Sequence, residues 1–309
     1  MRKAFLLVLI SICFLFFLWM IVSIYFMVFV NNGHRELKGN DYLLFKETPV
    51  WELAKSIRDG DKDKIIRLIK KEPEMINYQE PKYGNTLLMM TVMNQQLMQF
   101  HLLLDNHADV DIHNTYDGSS AIIESVRYKW FDIQFTEQLV ARGASVNDIQ
   151  TGGKSEWSKI RESVLMSAVS SGKMEFVQFL VDQGSDVNYI NENCESALSK
   201  AIMTNKHKIG YYLLLNGADF NRPLYYRPDL SIPSDLLNPD DKGEPVYLAN
   251  ALREDFFEFH SENYKYKMLI VEFLQKHGIN YWEIPIPDYI KERIKKEHPI
   301  TWKIILKKY

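Results

Sequence analysis

The stretch that comes nearest to an enzyme motif is Gly152-Gly153-Lys154-Ser155. A phosphate-binding loop needs G-x-x-x-x-G-K-S, so that successive backbone amides ring the phosphates. The position required to be the first glycine is Asp148, and no strand pattern precedes it. The stretch therefore reads as a flexible, solvated loop. The histidines offer no better start: His101, His107 and His113 recur at a spacing that places them on no common helical face. Neither His-Glu-x-x-His nor a paired-cysteine spacing occurs, and Gly-x-Ser-x-Gly is absent. Of the two cysteines, Cys13 lies in an apolar run, so Cys194 alone would have to serve as a nucleophile. These residues point to binding rather than catalysis, with no metal and no cofactor.

The elements that must position binding residues are short helices. In Ser163 to Asn188, Val164, Leu165, Ala168 and Val169 fall on one helical face, and Ser163 can cap that helix. Ser170-Ser171-Gly172 interrupts it. Phe176, Val177, Phe179, Leu180 and Val181 follow, apolar on two sides, so this second helix is expected to be sandwiched. Gly184 stands where a left-handed C-terminal cap belongs. Neither helix is long enough to stand alone, so the unit needs neighbours of its own kind.

Such neighbours exist. Helix pairs begin at Val50, at Gly84-Asn85-Thr86, at Asp117-Gly118-Ser119-Ser120, at Ser163, at Glu195-Ser196 and at Pro245. Units end at His107-Ala108-Asp109-Val110-Asp111, Gly143-Ala144-Ser145-Val146-Asn147, Gly184-Ser185-Asp186-Val187-Asn188 and Gly217-Ala218-Asp219-Phe220-Asn221. His107 occupies the position of the glycines. With a Gly-x-Thr/Ser opening and a period near 33, these endings resemble ankyrin repeats. The Thr-Pro-Leu-His opening of that family survives only as Thr86-Leu87-Leu88-Met89 and Ser196-Ala197-Leu198-Ser199, with the hydroxyl kept and the histidine lost. The resemblance implies an all-α, ankyrin-like helical repeat solenoid of about six helix pairs over residues 50–284. Insertions are expected at 151–161, 222–242 and 253–266, and a C-terminal helical cap at 285–309. The cap would bury Ile290, Ile294, Trp302, Ile305 and Leu306.

Ala4 to Val30 carries no charge and is long enough to span a bilayer as one helix. No small-x-small cleavage site follows it, so residues 1–30 read as an uncleaved transmembrane signal anchor, and 31–49 as a polar tether. Arg2 and Lys3 favour a cytoplasmic N-terminus. That places the remainder in the periplasm, single-pass in a bacterial inner membrane. Residues 31–309 hold 35 basic and 40 acidic side chains, which argues against nucleic acid as partner. Lys291 to Lys308 is a basic exception.

In an ankyrin-like stack the loops between repeats and the ends of the first helices line one concave face, and the resemblance assigns the binding residues to it. The loop candidates are Tyr83, Asn85, Tyr116, Asp117, Trp157, Tyr189 and Asn191. Gln95, Gln96, Lys129, Trp130, Lys173, Asn205 and Lys206 lie near helix ends. Tyr225, Tyr226 and Arg227 form a second patch in the proline-rich insertion. Exposed Tyr and Trp suit interface hot spots. The expected role is a protein-interaction module with a monomeric ectodomain. Membrane-anchored arrays of this kind resemble immunity proteins that occlude a toxic effector, such as a lipase. An envelope scaffold holding an endogenous partner is the alternative.

Overall fold

Hydroxyl side chains start the first helix of each inner repeat. Thr86, Ser120, Ser163 and Ser196 sit in extended backbone, and their oxygens accept from the amides of Met89, Ile123, Met166 and Ser199. The computed structural model describes residues 37–155, 159–228 and 243–309. In it, α1 (Trp51–Asp59) pairs with α2 (Lys62–Lys71), α3 (Leu87–Met93) with α4 (Leu97–Asp105), and α5 (Ala121–Val126) with α6 (Ile133–Ala141). Further along, α7 (Val164–Ser171) pairs with α8 (Met174–Asp182), α9 (Ala197–Met203) with α10 (His207–Leu215), and α11 (Leu248–Glu254) with α12 (Glu262–Lys276). The first members α3, α5, α7, α9 and α11 pack side by side as one row, and the second members lie behind them.

The expectation that the second helix is the sandwiched one is reversed. Every residue of α7 from Val164 to Val169 is buried, whereas α8 buries Phe176, Val177 and Leu180. Small residues such as Ser167 and Ala168 let α5 and α9 approach α7 from both sides, while Glu175, Gln178 and Asp182 keep one side of α8 in water.

Left-handed residues end the second helices where the repeat pattern puts them. Gly143, Gly184 and Gly217 have φ of 100°, 89° and 86°, and exposed His107 adopts 65° at the same place. Asparagines then tie successive repeats. Asn77, Asn147 and Asn188 accept, through Oδ1, from the amides of Asp109, Asp186 and Asp219 at 2.9, 2.7 and 2.8 Å. Asp111 stands where this ladder has asparagine.

Several segments differ from their sequence reading. The tether of 31–49 is folded from residue 37 onward: Tyr42–Phe45 forms a 3₁₀ helix capped by Asp41, and Tyr42, Leu44 and Phe45 are buried. Their three apolar side chains cover the end of the stack that α1 would otherwise expose. The Gly152-Gly153 stretch is not a loosely solvated loop either, because Thr151, Lys154 and Ser155 donate backbone bonds to Gly118, Thr115 and Tyr116. All-α is incomplete as a description. Within the proline-rich insertion lies β1 (Tyr225–Arg227), which pairs antiparallel with β2 (Glu244–Val246) just past its end, with Tyr226 opposite Pro245. Of the segment expected as an insertion at 253–266, Arg253 and Glu254 close α11 and Glu262 to Tyr266 open α12. Residues 1–36, 156–158 and 229–242 lie outside the described residues, and with them the expected anchor and Trp157. Among the described residues no helix is long and apolar enough to cross a membrane.

The cap consists of α13 (Asp288–Glu297) and α14 (Trp302–Lys308). Its small core holds Ile290, Ile294, Ile305 and Tyr309, with Trp302 and Leu306 partly buried beside them. Polar groups seal it to the last repeat. Arg253 Nη1 and the Tyr281 hydroxyl donate to the Tyr309 carbonyl at 2.8 and 2.9 Å. The fully buried Lys267 donates to the Asp255 carbonyl at 2.8 Å and lies over the Tyr309 ring. Burial pulls its ammonium down to about 7. His207, also fully buried, meets Asp255 at 2.8 Å.

Two stability outcomes are expected. A non-glycine residue in left-handed backbone is strained, so His107→Gly should stabilise the chain by about 1 kcal/mol, read as a rise of about 2 °C in melting temperature. His113 Nε2 meets Asp148 Oδ1 at 3.0 Å, and this bond, opposed by partial burial, raises the imidazole above its ordinary value. A raised folded pKa makes the pair's contribution complete below the unfolded value of about 6.5 and lost as pH rises through the folded value. The stability gap between wild type and His113→Gln, from urea midpoints, should therefore narrow on going above that pH.

Candidate functional site

Finger-like loops join each second helix to the next first helix, and each is closed at its base by backbone bonds. Glu80 N donates to Asn85 O, Asn114 N to Ser119 O, and Gln150 N to Glu162 O. A buried polar side chain fills each of the first two tips. The Glu80 carboxylate accepts from the amides of Lys82, Tyr83 and Asn85. Asn114 Oδ1 accepts from those of Tyr116, Asp117 and Gly118 at 3.0 to 3.1 Å. The fingers then lie against one another. Thr115 N donates to Tyr83 O at 2.9 Å, and Thr151 N to Gly118 O at 3.0 Å. A β-carbon on Gly118 would sit 2.3 Å from Gly152 N, and one on Gly153 2.4 Å from Tyr116 O. Those glycines serve backbone contact, which accounts for the Gly-Gly pair without phosphate chemistry.

The fingers and first helices enclose a cleft of about 520 Å³ between Tyr83, Tyr116 and Trp130. A second hollow of about 540 Å³ continues from it past Asp117 and Arg127 toward Glu162 and Lys200. One wall of the first is the strap at Lys38–Asn40. Leu37 O accepts from the Tyr83 hydroxyl at 3.0 Å and Gly39 O from Asn85 Nδ2 at 3.0 Å, while Asn94 Nδ2 donates to Asn40 O at 2.9 Å. The opposite wall is aromatic. Tyr128 stacks on Trp130 with centroids 4.7 Å apart, and Trp130 is 69% exposed.

At the floor, Arg127 Nη2 reaches Asp117 Oδ2 at 2.9 Å, Ser119 Oγ at 2.5 Å and Glu124 Oε1 at 3.2 Å. Burial alone would raise the Asp117 carboxyl, but the Arg127 charge and the hydrogen bonds it receives hold it below the ordinary range. Glu124 is buried more deeply, and there burial outweighs Arg127 and pushes the carboxyl up. One nitrogen of the guanidinium, Nη2, thus ties a finger to the first helix that follows it. Among the described residues no three His, Cys, Asp or Glu side chains come together as a metal site.

Of the residues expected to bind, Tyr83, Asn85, Tyr116, Asp117 and Trp130 meet in this cleft. Lys129 is exposed beside Trp130. Others are engaged in the scaffold. Gln95 is left-handed and accepts from Asp132 N at 2.9 Å, and Gln96 accepts from the Tyr42 hydroxyl. Lys173 donates to Phe131 O at 2.8 Å. Tyr189 donates to Arg161 O at 3.2 Å, and buried Asn191 accepts from two amides of its own loop. Asn205 is left-handed in the turn before α10, and Lys206 donates to Thr204 Oγ1 at 2.8 Å. The second patch is also engaged, since Arg227 meets Glu254 at 2.5 Å, Tyr225 lies within 3.4 Å of the same carboxylate, and Tyr226 sits in the ribbon. Arg127, Glu124 and the stacking Tyr128 complete the cleft and are not among the residues expected from the sequence. The spacing of Glu124 and Arg127, one helical turn apart, is a sequence signal for that pair, and Tyr128 has none.

Residues 132–223 match the family model of ankyrin repeats, in three copies. The chain is also similar to ankyrin repeat and KH domain-containing protein mask-1 of Caenorhabditis elegans, 25% identical over 195 residues. That alignment takes in 56% of this chain and 7% of the relative. The matched repeats mark a protein–protein interaction module.

Proposed function

We propose that this ankyrin-repeat chain binds a protein partner in the cleft between the Lys38–Asn40 strap and Trp130. The observation that carries the reading is the Tyr128–Trp130 stack. It presents a large, exposed aromatic surface over a floor whose charges are already paired. Such a surface favours a partner's apolar anchor over a reacting group.

The finer reading is an immunity protein held in a bacterial inner membrane by residues 4–30, with its repeats in the periplasm, occluding a toxic effector such as a lipase. The uncharged run and the preceding Arg2 and Lys3 support the anchor. The folded strap supports engagement close to the bilayer. Residues 31–36 separate the run from Leu37, and that chain reaches at most about 25 Å. A scaffold for an endogenous envelope protein is the other reading of the same cleft.

Co-expression with effectors encoded beside it tests the immunity reading. Protection is expected from the full chain, together with an active alkaline phosphatase fused after Tyr309. Failure to protect against every neighbouring product, with a housekeeping envelope protein co-purifying instead, would replace immunity by scaffolding. For whichever partner is found, Trp130→Ala should weaken binding by about 2 kcal/mol, roughly thirtyfold, at unchanged melting temperature. Unchanged affinity would remove the cleft from the interface.

A further inference from the structure

The charges of this chain are unevenly placed. Lys291 to Lys308 holds six lysines and Arg293 against Glu292 and Glu297, leaving 30 basic and 38 acidic residues elsewhere. The acidic side chains of α13 are already used: Asp288, Glu292 and Glu297 pair with Lys291, Lys295 and Arg293 at 2.8, 2.6 and 2.9 Å. Among the described residues no carboxylate lies within ion-pair distance of Lys296, Lys303, Lys307 or Lys308, and all four are exposed. The same surface carries apolar side chains that the fold does not cover. Ile300, in the turn between α13 and α14, is 94% exposed, and Ile304 one helical turn on is 59% exposed. The inward face of α14 is separate from these residues, because Ile305 and Tyr309 fill the cap core.

We infer that this face of the cap docks on an anionic lipid surface. Exposed isoleucines next to lysines that have no carboxylate partner are what such an interface selects. The apolar side chains enter the boundary between headgroups and acyl chains, and the ammonium groups meet lipid phosphates. A protein partner is less well matched. The patch presents two protruding isoleucines, whereas hot spots sit in pockets. Lipid contact here requires neither the cleft nor insertion of residues 4–30.

Amide hydrogen exchange on the full chain in nanodiscs tests it, comparing pure phosphatidylcholine with an equal mixture of phosphatidylcholine and phosphatidylglycerol. The amides of Ile300 to Lys308 should exchange about tenfold more slowly in the anionic discs, with α7 to α10 unchanged. Ile300→Ser with Ile304→Ser should abolish that slowing. So should Lys303→Gln, Lys307→Gln and Lys308→Gln combined, which replaces no residue of the cap core; an unchanged melting temperature checks that the fold is kept. Equal exchange in the two discs would overturn the inference. So would slowing that survives both sets of substitutions, or slowing that appears only when a protein partner is added. Because the readout is confined to the cap, failure of the cleft to bind a partner leaves it unaffected.

Discussion

There is no room for a β-carbon between neighbouring finger loops. At Gly84 the added atom would lie 2.5 Å from Thr115 N, at Gly118 2.3 Å from Gly152 N, and at Gly153 2.4 Å from Tyr116 O. Close backbone approach is what lets each finger donate to the carbonyls of the one before it, so the loops are stacked as well as the helices behind them. It also fixes where Tyr83 and Tyr116 stand: their rings meet edge to face at 5.1 Å. The working face follows from this constraint rather than from any single helix.

The same loops explain why a scaffold of short helices offers a formed cleft. Each inner first helix is buried over most of its length between its two neighbours. Arg127 fastens the Asp117 finger to the helix that carries Glu124, and the Leu37–Asn40 strap closes the side of the cleft toward the first repeat. A partner meets a prepared surface, so little ordering is required on binding.

Much of the repeat architecture could be read from residue types. The hydroxyl at Ser163 and its counterparts announced the helix starts, and the alignment of His107 with the glycines was right because the backbone there is left-handed whatever the side chain. Five candidate residues converge on the cleft because the repeat places loop tips on one face. The remainder depended on contacts between segments far apart in sequence. Tyr42 to Phe45 is an apolar run of four residues, too short to show a period or to say which repeat it covers. Gln96, Lys173 and Asn191 look exposed by position but are taken up by backbone and side-chain partners. Gly152-Gly153 invited a flexible-loop reading because glycine needed for close packing cannot be told from glycine in a mobile loop until the neighbour is known.

Comparison of two alanine substitutions addresses that packing most directly. Gly118 and Gly184 are both left-handed, with φ of 75° and 89°, yet a β-carbon on Gly184 meets nothing within 4 Å. Backbone strain is common to both sites, and only Gly118 adds a clash with the next finger. If the stacked fingers hold the working face, Gly118→Ala should cost about 2 kcal/mol more than Gly184→Ala in urea unfolding of the full chain. Equal costs would contradict the account.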